Sequence, residues 1–504
     1  MPSKYSFTNS NQTTQLIPTL IASIFLLSAC SQLEDTARLE NATTTAQTPQ
    51  TDATIRSHEG IKNTQITQQI EQVKAASEQS ELSYEIVRSL TVEVGPRIAG
   101  SKGDRAAVAW AENKFNEMGF DKVYKQPVRV RNWERGFADA KTLSPFEQPL
   151  VISALGGSIA TPGDGIQAKV LMFEDLESLS KASPGSVEGN IVFLNTRMQR
   201  DRAGRFYGKV VPNRVNGAVE AAKLGAKAVI IRSVGTDNSR FAHTGIMRYN
   251  DEVAKIPAGA ISTADADNLE AMFDKTNEDI ILSINMQAKD AGWQTSHNVI
   301  GEFTGSEKPE EVVLISAHLD SWDEGTGALD DGAGVGIVMA AAKIIKDTLG
   351  QPKRTIRVIL YAAEEIGLVG AYQYTRANKD DLKNIIMAAE SDFGAGQIYQ
   401  IDTRFNPDVR NHPTELYDAL AGMGIILGNN TTNGGPDVSM LPAQGVPVIA
   451  LKQDGTYYFD YHHTPNDTLD KVDIKDIQQN QSVWAMVTTY MANTDFDPRP
   501  APVK

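Results

Sequence analysis

Along most of the chain, short runs of aliphatic and β-branched residues alternate with stretches whose apolar positions recur every three or four residues. The run Val-Val-Leu-Ile-Ser at 312–316 has the length and composition of a buried strand. Similar runs stand at 356–361, 385–389 and 446–451, and helical spacing fills 332–345, 368–377 and 474–491. Strand then helix, repeated from Thr295 onward, predicts an α/β fold with a mostly parallel central sheet flanked by helices. Upstream, Ile66, Ile70 and Val73 mark a first helix. A turn-rich loop at 95–101 leads to a second helix over 104–118, with Ala107, Trp110, Ala111, Phe115 and Met118 on one face and Gly119 as its stop. Residues 123–131 alternate as a strand.

Between 136 and 289 the texture changes. Strand-like runs at 169–173, 190–194 and 228–232 alternate with short helical patterns, one of them at 217–224. The two flanks read as parts of one fold, so this segment is expected to be an inserted β-rich domain. The predicted organisation is a leader at 1–30, a flexible tether at 31–64, the first part of the main domain at 65–135, the insert at 136–289 and the rest of the main domain at 290–504.

The leader changes the picture of where the protein works. Lys4 gives a weakly basic start, and the apolar core at 16–29 is short for a bilayer span. It closes in Leu27-Ser28-Ala29-Cys30, which resembles the bacterial lipoprotein signal, with Cys30 becoming a lipidated N-terminus after cleavage. Ser31 resembles outer-membrane sorting. The expectation is an exported lipoprotein of the cell envelope, held by lipid to the outer membrane and facing the periplasm. Residues 31–60 are polar and poor in large apolar groups, as a tether requires.

Cys30 is the single cysteine, so no intrachain disulfide and no cysteine metal site can form. The net charge of −15 argues against nucleic acid, whose phosphates need clustered Lys and Arg.

The candidate chemistry stands at the ends of the predicted strands. His318, Asp320 and Asp330 follow the first, Glu364 and Glu365 the next, then Asp392, then His463 with Asp467. Each group alone has a bland alternative: a turn carboxylate, a charged first helical turn, an N-cap or a surface loop. Together the bland alternatives fail, because every group lies just after a buried-strand pattern. Two imidazoles and three carboxylates suit zinc, with manganese or cobalt possible. Asp330, in a Gly-rich loop, suits a carboxylate bridging two metals. His318 and Asp392 could complete one metal, and Glu365 and His463 the other. Glu364 would then sit beside the bridging water as general base. Asp320 could hold the second ring nitrogen of His318, and Asp467 could support His463. His58, His243, His297 and His412 are expected not to be ligands, while His462 could substitute for its neighbour.

The stretches 317–323, 330–332, 352–355, 363–365, 390–392, His462-His463 and Asp467-Thr468 together resemble the di-zinc exopeptidase family, which includes carboxypeptidase Q and bacterial leucyl aminopeptidase. The likeness runs from about residue 65 to the C-terminal helix and implies that 136–289 is a protease-associated domain. It implies two zinc ions per chain on His318, Asp330, Glu365, Asp392 and His463, with Glu364 as base and a cis peptide bond at Asp330–Asp331. It further implies a peptide substrate and a homodimer. Two other readings are a single-metal transferase like glutaminyl cyclase and a binding protein on a peptidase scaffold. The loop at 433–439 falls where the family shapes its substrate pocket, and it matches neither the aminopeptidase nor the carboxypeptidase version closely.

Overall fold

Two eight-stranded sheets carry residues 63–500, the part of the chain described by this computed structural model. Cys30 and the leader and tether before residue 63 lie outside the described residues. In the first sheet the strands run, edge to edge, Lys122–Glu134, Lys289–Phe303, Arg354–Tyr361, Lys308–His318, Ile385–Glu390, Val448–Gln453, Ile398–Arg404 and Ile426–Leu427. Lys308–His318 is central and parallel to both neighbours. Val313, Leu314 and Ile315 on it are fully buried, which explains a continuous apolar run rather than an alternating one.

The expected parallel sheet holds at this centre, where Arg354–Tyr361, Lys308–His318, Ile385–Glu390 and Val448–Gln453 run the same way. The edges differ. Lys122–Glu134 pairs antiparallel with Lys289–Phe303, which pairs antiparallel with Arg354–Tyr361. The reason is topological: the chain leaves the first strand, builds the whole second sheet, and returns directly alongside, as a hairpin does.

That second sheet uses only strands between Ala138 and Met286. Its parallel centre is Ile166–Phe173, Ile191–Leu194, Ala228–Arg232 and Ala258–Ile261. The helix expected at 217–224 begins much earlier, at Tyr207, and runs to Lys223 with Pro212 inside it. A proline in the sequence argues for a helix boundary, yet Pro212 sits inside this helix, which begins ten residues before the expected start.

Ala333–Leu349 and Ile474–Asn493 pack on the first sheet, and Thr64–Glu78 and Leu82–Glu93 pack against those two helices. The Leu82–Glu93 helix is not among the expected elements, although Leu82, Ile86, Val87 and Leu90 recur at helical spacing. Its buried face mixes Ser83 and Thr91 with Ile86, Val87 and Leu90, and no side chain caps its start. Ala333–Leu349 is buried almost all round and carries small residues where neighbours approach closely. A Cβ on Gly336 would stand 2.5 Å from the Ser83 carbonyl oxygen and 2.8 Å from Val87. Gly336→Ala should therefore destabilise the fold by about 1–3 kcal/mol through overpacking, despite the better helix propensity of alanine. Thermal denaturation measures this, and an unchanged midpoint would show that the two helices can separate without cost.

Candidate metal centre

Four adjacent parallel strands end on the same edge of the first sheet, and each end delivers polar groups to one place. His318 is the last residue of its strand. Arg354–Tyr361 leads into Ala362-Ala363-Glu364-Glu365, Ile385–Glu390 into Ser391-Asp392, and the loop after Val448–Gln453 carries His462 and His463. Two non-glycine residues here hold left-handed backbone, Ala363 at φ 60° and His463 at φ 61°. Such conformations cost free energy and cluster at functional sites. The Asp330–Asp331 bond is cis, as the resemblance implies.

Asp330 is the hub. Its Oδ1 is 3.0 Å from His318 Nε2, and its Oδ2 is 3.3 Å from His463 Nε2. His318 Nε2 is also 3.5 Å from Asp392 Oδ1, and His463 Nε2 is 3.0 Å from Glu365 Oε2. One possible ligand group is His318, Asp330 and Asp392, whose donor atoms lie within 4.8 Å of one another. A second joins Asp330 to His462 and His463. Glu365 Oε1 is buried without a hydrogen-bond partner, an oxygen that suits a cation. The nitrogen and oxygen donors fit zinc. His462 stacks on His463 with ring centroids 3.5 Å apart, but its Nε2 is 3.6 Å from Asp330. The better-placed imidazole of the pair is His463.

Asp320 stands at His318 Nδ1 as expected, through its backbone carbonyl at 3.0 Å, with its carboxylate oxygen at 3.6 Å. The Asp320 carboxylate accepts the Glu364 N–H at 3.0 Å, so its side chain positions the loop of the next strand. Asp467 was expected to support His463. Its carboxylate accepts the N–H groups of Leu329 and Asp330, at 2.6 and 3.1 Å, and so fixes the hub. His463 Nδ1 faces the Thr244 carbonyl, at 3.2 Å, in the second sheet's part of the chain.

Asp331 accepts the His318 N–H at 3.1 Å and the Gly334 N–H at 3.0 Å, and its side chain holds the strand end and the following helix together. Arg97 was not foreseen as more than part of a turn-rich loop. Fully buried, it donates to the carbonyls of Leu319, Thr326 and Gly327 at 2.6, 2.7 and 2.9 Å, stitching the loop between His318 and Asp330. These three acceptors lie more than 200 positions away in sequence, and the one local acceptor is the Gly95 carbonyl at 3.3 Å.

Burial opposes charge throughout the site, and the exceptions show where charge is wanted. Burial works against an ionised Asp330, yet His318 and His463 hold it well below the usual carboxylate range. Burial likewise opposes a charged His463, yet Glu365 and Asp330 raise it to about 9. Glu364 is pushed well above the ordinary range by burial, with Asp392, Glu365 and Asp320 adding repulsion. Glu390 is pushed to about 8 by burial and by Asp392. Its Oε2 accepts the Asp437 N–H at 2.6 Å, in the loop at 433–439. Gly435 in that loop has φ 148°, and a Cβ there would come within 2.5 Å of Glu390, so the close approach needs glycine. Asp392 and this loop line one cleft of about 620 Å³, which Ala203 from the second sheet's segment also borders.

Residues 298–488 match the model of Peptidase family M28. Carboxypeptidase Q of Homo sapiens is 37% identical over 415 residues, covering 82% of this chain and 86% of its own length. The chain belongs to peptidase family M28. It is a metallo-exopeptidase, as that family and its carboxypeptidase and aminopeptidase relatives show. Among M28 structures, a crystal structure of a peptidase M28 precursor from Shewanella amazonensis SB2B superposes with a TM-score of 0.85 at 51% identity, covering 87% of this chain and 99% of the other. A zinc aminopeptidase from Bacillus subtilis shares the fold at a TM-score of 0.58 and 20% identity, covering 81% and 94%.

Arg97→Met should strand the carbonyls of Leu319 and Thr326 without donors and leave Gly327 only the Gly332 N–H. At about 1–3 kcal/mol for each buried unsatisfied group, the loss of unfolding free energy should reach at least about 2 kcal/mol. Urea unfolding reads it directly, and a midpoint equal to wild type would remove Arg97 from its stitching role.

Proposed function

We propose that this M28 peptidase is a zinc-dependent exopeptidase that hydrolyses dipeptides or short peptides, with Glu364 as general base. The observation that carries the reading is the sharing of Asp330 between two donor sets: His318 and Asp392 on one oxygen's side, His463 and Glu365 on the other's. Those five residues would hold two zinc ions. Bound zinc supplies Lewis acidity toward the scissile carbonyl and lowers the pKa of water.

The chain's own residues divide the remaining work. Asp330 is held through its N–H by Asp467, which keeps both its carboxylate oxygens facing the imidazoles. Glu364 has its N–H fixed by Asp320 and its side chain only half-buried. A carboxylate there takes a proton from the attacking water as oxygen bonds to the carbonyl carbon. It then delivers that proton to the leaving amine nitrogen as the C–N bond breaks. The cleft of about 620 Å³ beside Asp392 has room for a short peptide.

The motif at 27–30 supports a lipid anchor at Cys30 and an envelope location facing the periplasm. Among the described residues no helix is long and apolar enough to cross a membrane.

Glu364→Gln should keep the zinc content of wild type, measured by elemental analysis, and lose about 10²–10⁴-fold in kcat on dipeptides. Retained turnover would sink the base assignment, and one zinc per chain at saturation would sink the two-metal reading. Chelation should abolish hydrolysis and added zinc should restore it. Cys30→Ser should leave the protein in the soluble or uncleaved fraction of an envelope preparation; a correctly cleaved, membrane-bound variant would mean a different anchor.

A further inference from the structure

The loop that carries His463 is held from outside the first sheet. Gly455 N–H donates to the Arg202 carbonyl at 2.8 Å, and Arg200 reaches the Thr456 carbonyl at 2.9 Å and Asp460 Oδ1 at 2.7 Å. Thr236 donates its N–H to the Phe459 carbonyl at 3.0 Å and its hydroxyl to Asp460 at 2.8 Å. His243 Nδ1 is 2.8 Å from the His462 carbonyl. Thr244 donates its N–H to the His463 carbonyl at 3.0 Å, and its own carbonyl stands 3.2 Å from His463 Nδ1. All these partners belong to residues 200–244, in the part of the chain that builds the second sheet.

Three features make this more than packing. A carbonyl at Nδ1 requires that nitrogen to carry a hydrogen, so in the neutral ring the lone pair is on Nε2, toward Asp330 and Glu365. The His463 backbone is left-handed, a conformation that surrounding contacts must enforce. His243 is fully buried with both ring nitrogens facing acceptors, the His462 carbonyl and Asp237 Oδ1, each at 2.8 Å. Space for that ring is made by Gly235, where a Cβ would come within 2.3 Å of it.

We propose that the second sheet is a working part of the metal centre: Asp237, His243 and Thr244 form a brace that orients His463, and metal affinity at the Glu365–His463 position depends on it. His243 is a positioning residue that touches no reacting atom. The proposal rests on His463 as a ligand, and the experiment separates the two.

Zinc is titrated into the full-length apo-protein against a chromophoric chelator, and the visible spectrum of the cobalt-substituted protein is recorded. Wild type should show two binding steps, and His463→Ala should lose one. If His463→Ala keeps both at wild-type affinity, the ligand assignment fails and the brace with it. Given that loss, His243→Phe should weaken one step by about 10–100-fold and alter the cobalt spectrum, with the other step unchanged. His243→Gln should recover part of the affinity, and Asp237→Asn should shift the same step by less. Wild-type affinities and spectra in folded His243→Phe and Asp237→Asn would overturn the brace. If His243→Phe does not fold, Asp237→Asn decides.

Discussion

Too much negative charge is gathered in too little water at the edge of the first sheet, and most of the local structure answers that problem. Asp320, Asp330, Asp331, Glu365, Glu390, Asp437 and Asp467 are all buried, and Glu364 and Asp392 half-buried beside them. An ionised carboxylate in the interior costs several kcal/mol unless something compensates it. Three devices are visible. Backbone N–H groups are aimed at Asp331, Asp320, Asp467 and Glu390. Burial drives Asp331 and Asp437 well above the usual range, which disfavours their charged forms. His318 and His463 crowd against Asp330 from both sides. Glu365 Oε1 remains without a donor, and a bound cation is the natural partner for what is left.

The topology explains why those groups meet. Parallel neighbours put four strand ends on one edge, so residues distant in sequence converge without long loops. The antiparallel return does the rest. Because the chain leaves Lys122–Glu134 and re-enters at Lys289–Phe303, the second sheet is tied at both ends to the edge of the first. Arg135, the next residue after that strand, binds Asp323 in the loop after His318 and also Ser153 and Thr244 of the second sheet's segment. Trp322 lies against His463, ring centroids 5.7 Å apart, while its far edge fits the space over Gly156. The second sheet thus touches the same loops that carry the donors.

What could be read from residue order follows from this physics. Buried central strands need apolar residues on both faces, so the runs ending at His318, Tyr361 and Glu390 stand out, and the carboxylates just beyond them can be collected by position alone. The Leu82–Glu93 helix is legible in the same way, since Leu82, Ile86, Val87 and Leu90 fall at helical spacing. Another helix holds Pro212 inside it and begins well before its expected start. The supporting groups of the site are the least legible. Thr244 acts through a carbonyl and Asp320 partly so, which no side-chain pattern can report. Arg97 binds only carbonyls, three of them more than 200 positions away in sequence. Asp467 lies near His463 in sequence, yet its carboxylate turns to the backbone of the loop 137 residues before it.

Glu364 and Glu365 show how far environment outweighs identity. They are the same residue at adjacent positions, and a helix or strand would point them in related ways. Ala363 at φ 60° turns the chain just before them. Beyond it, Glu365 turns to His463 at 3.0 Å and accepts a positive partner. Glu364 has no such partner; its N–H is fixed by Asp320 and its carboxyl is raised by burial among other carboxylates. Burial raises both carboxyls; His463 opposes the rise at Glu365, while Asp392, Glu365 and Asp320 add to it at Glu364. On the proposed assignment, the different surroundings of two identical residues would let one serve as a ligand and its neighbour as a base.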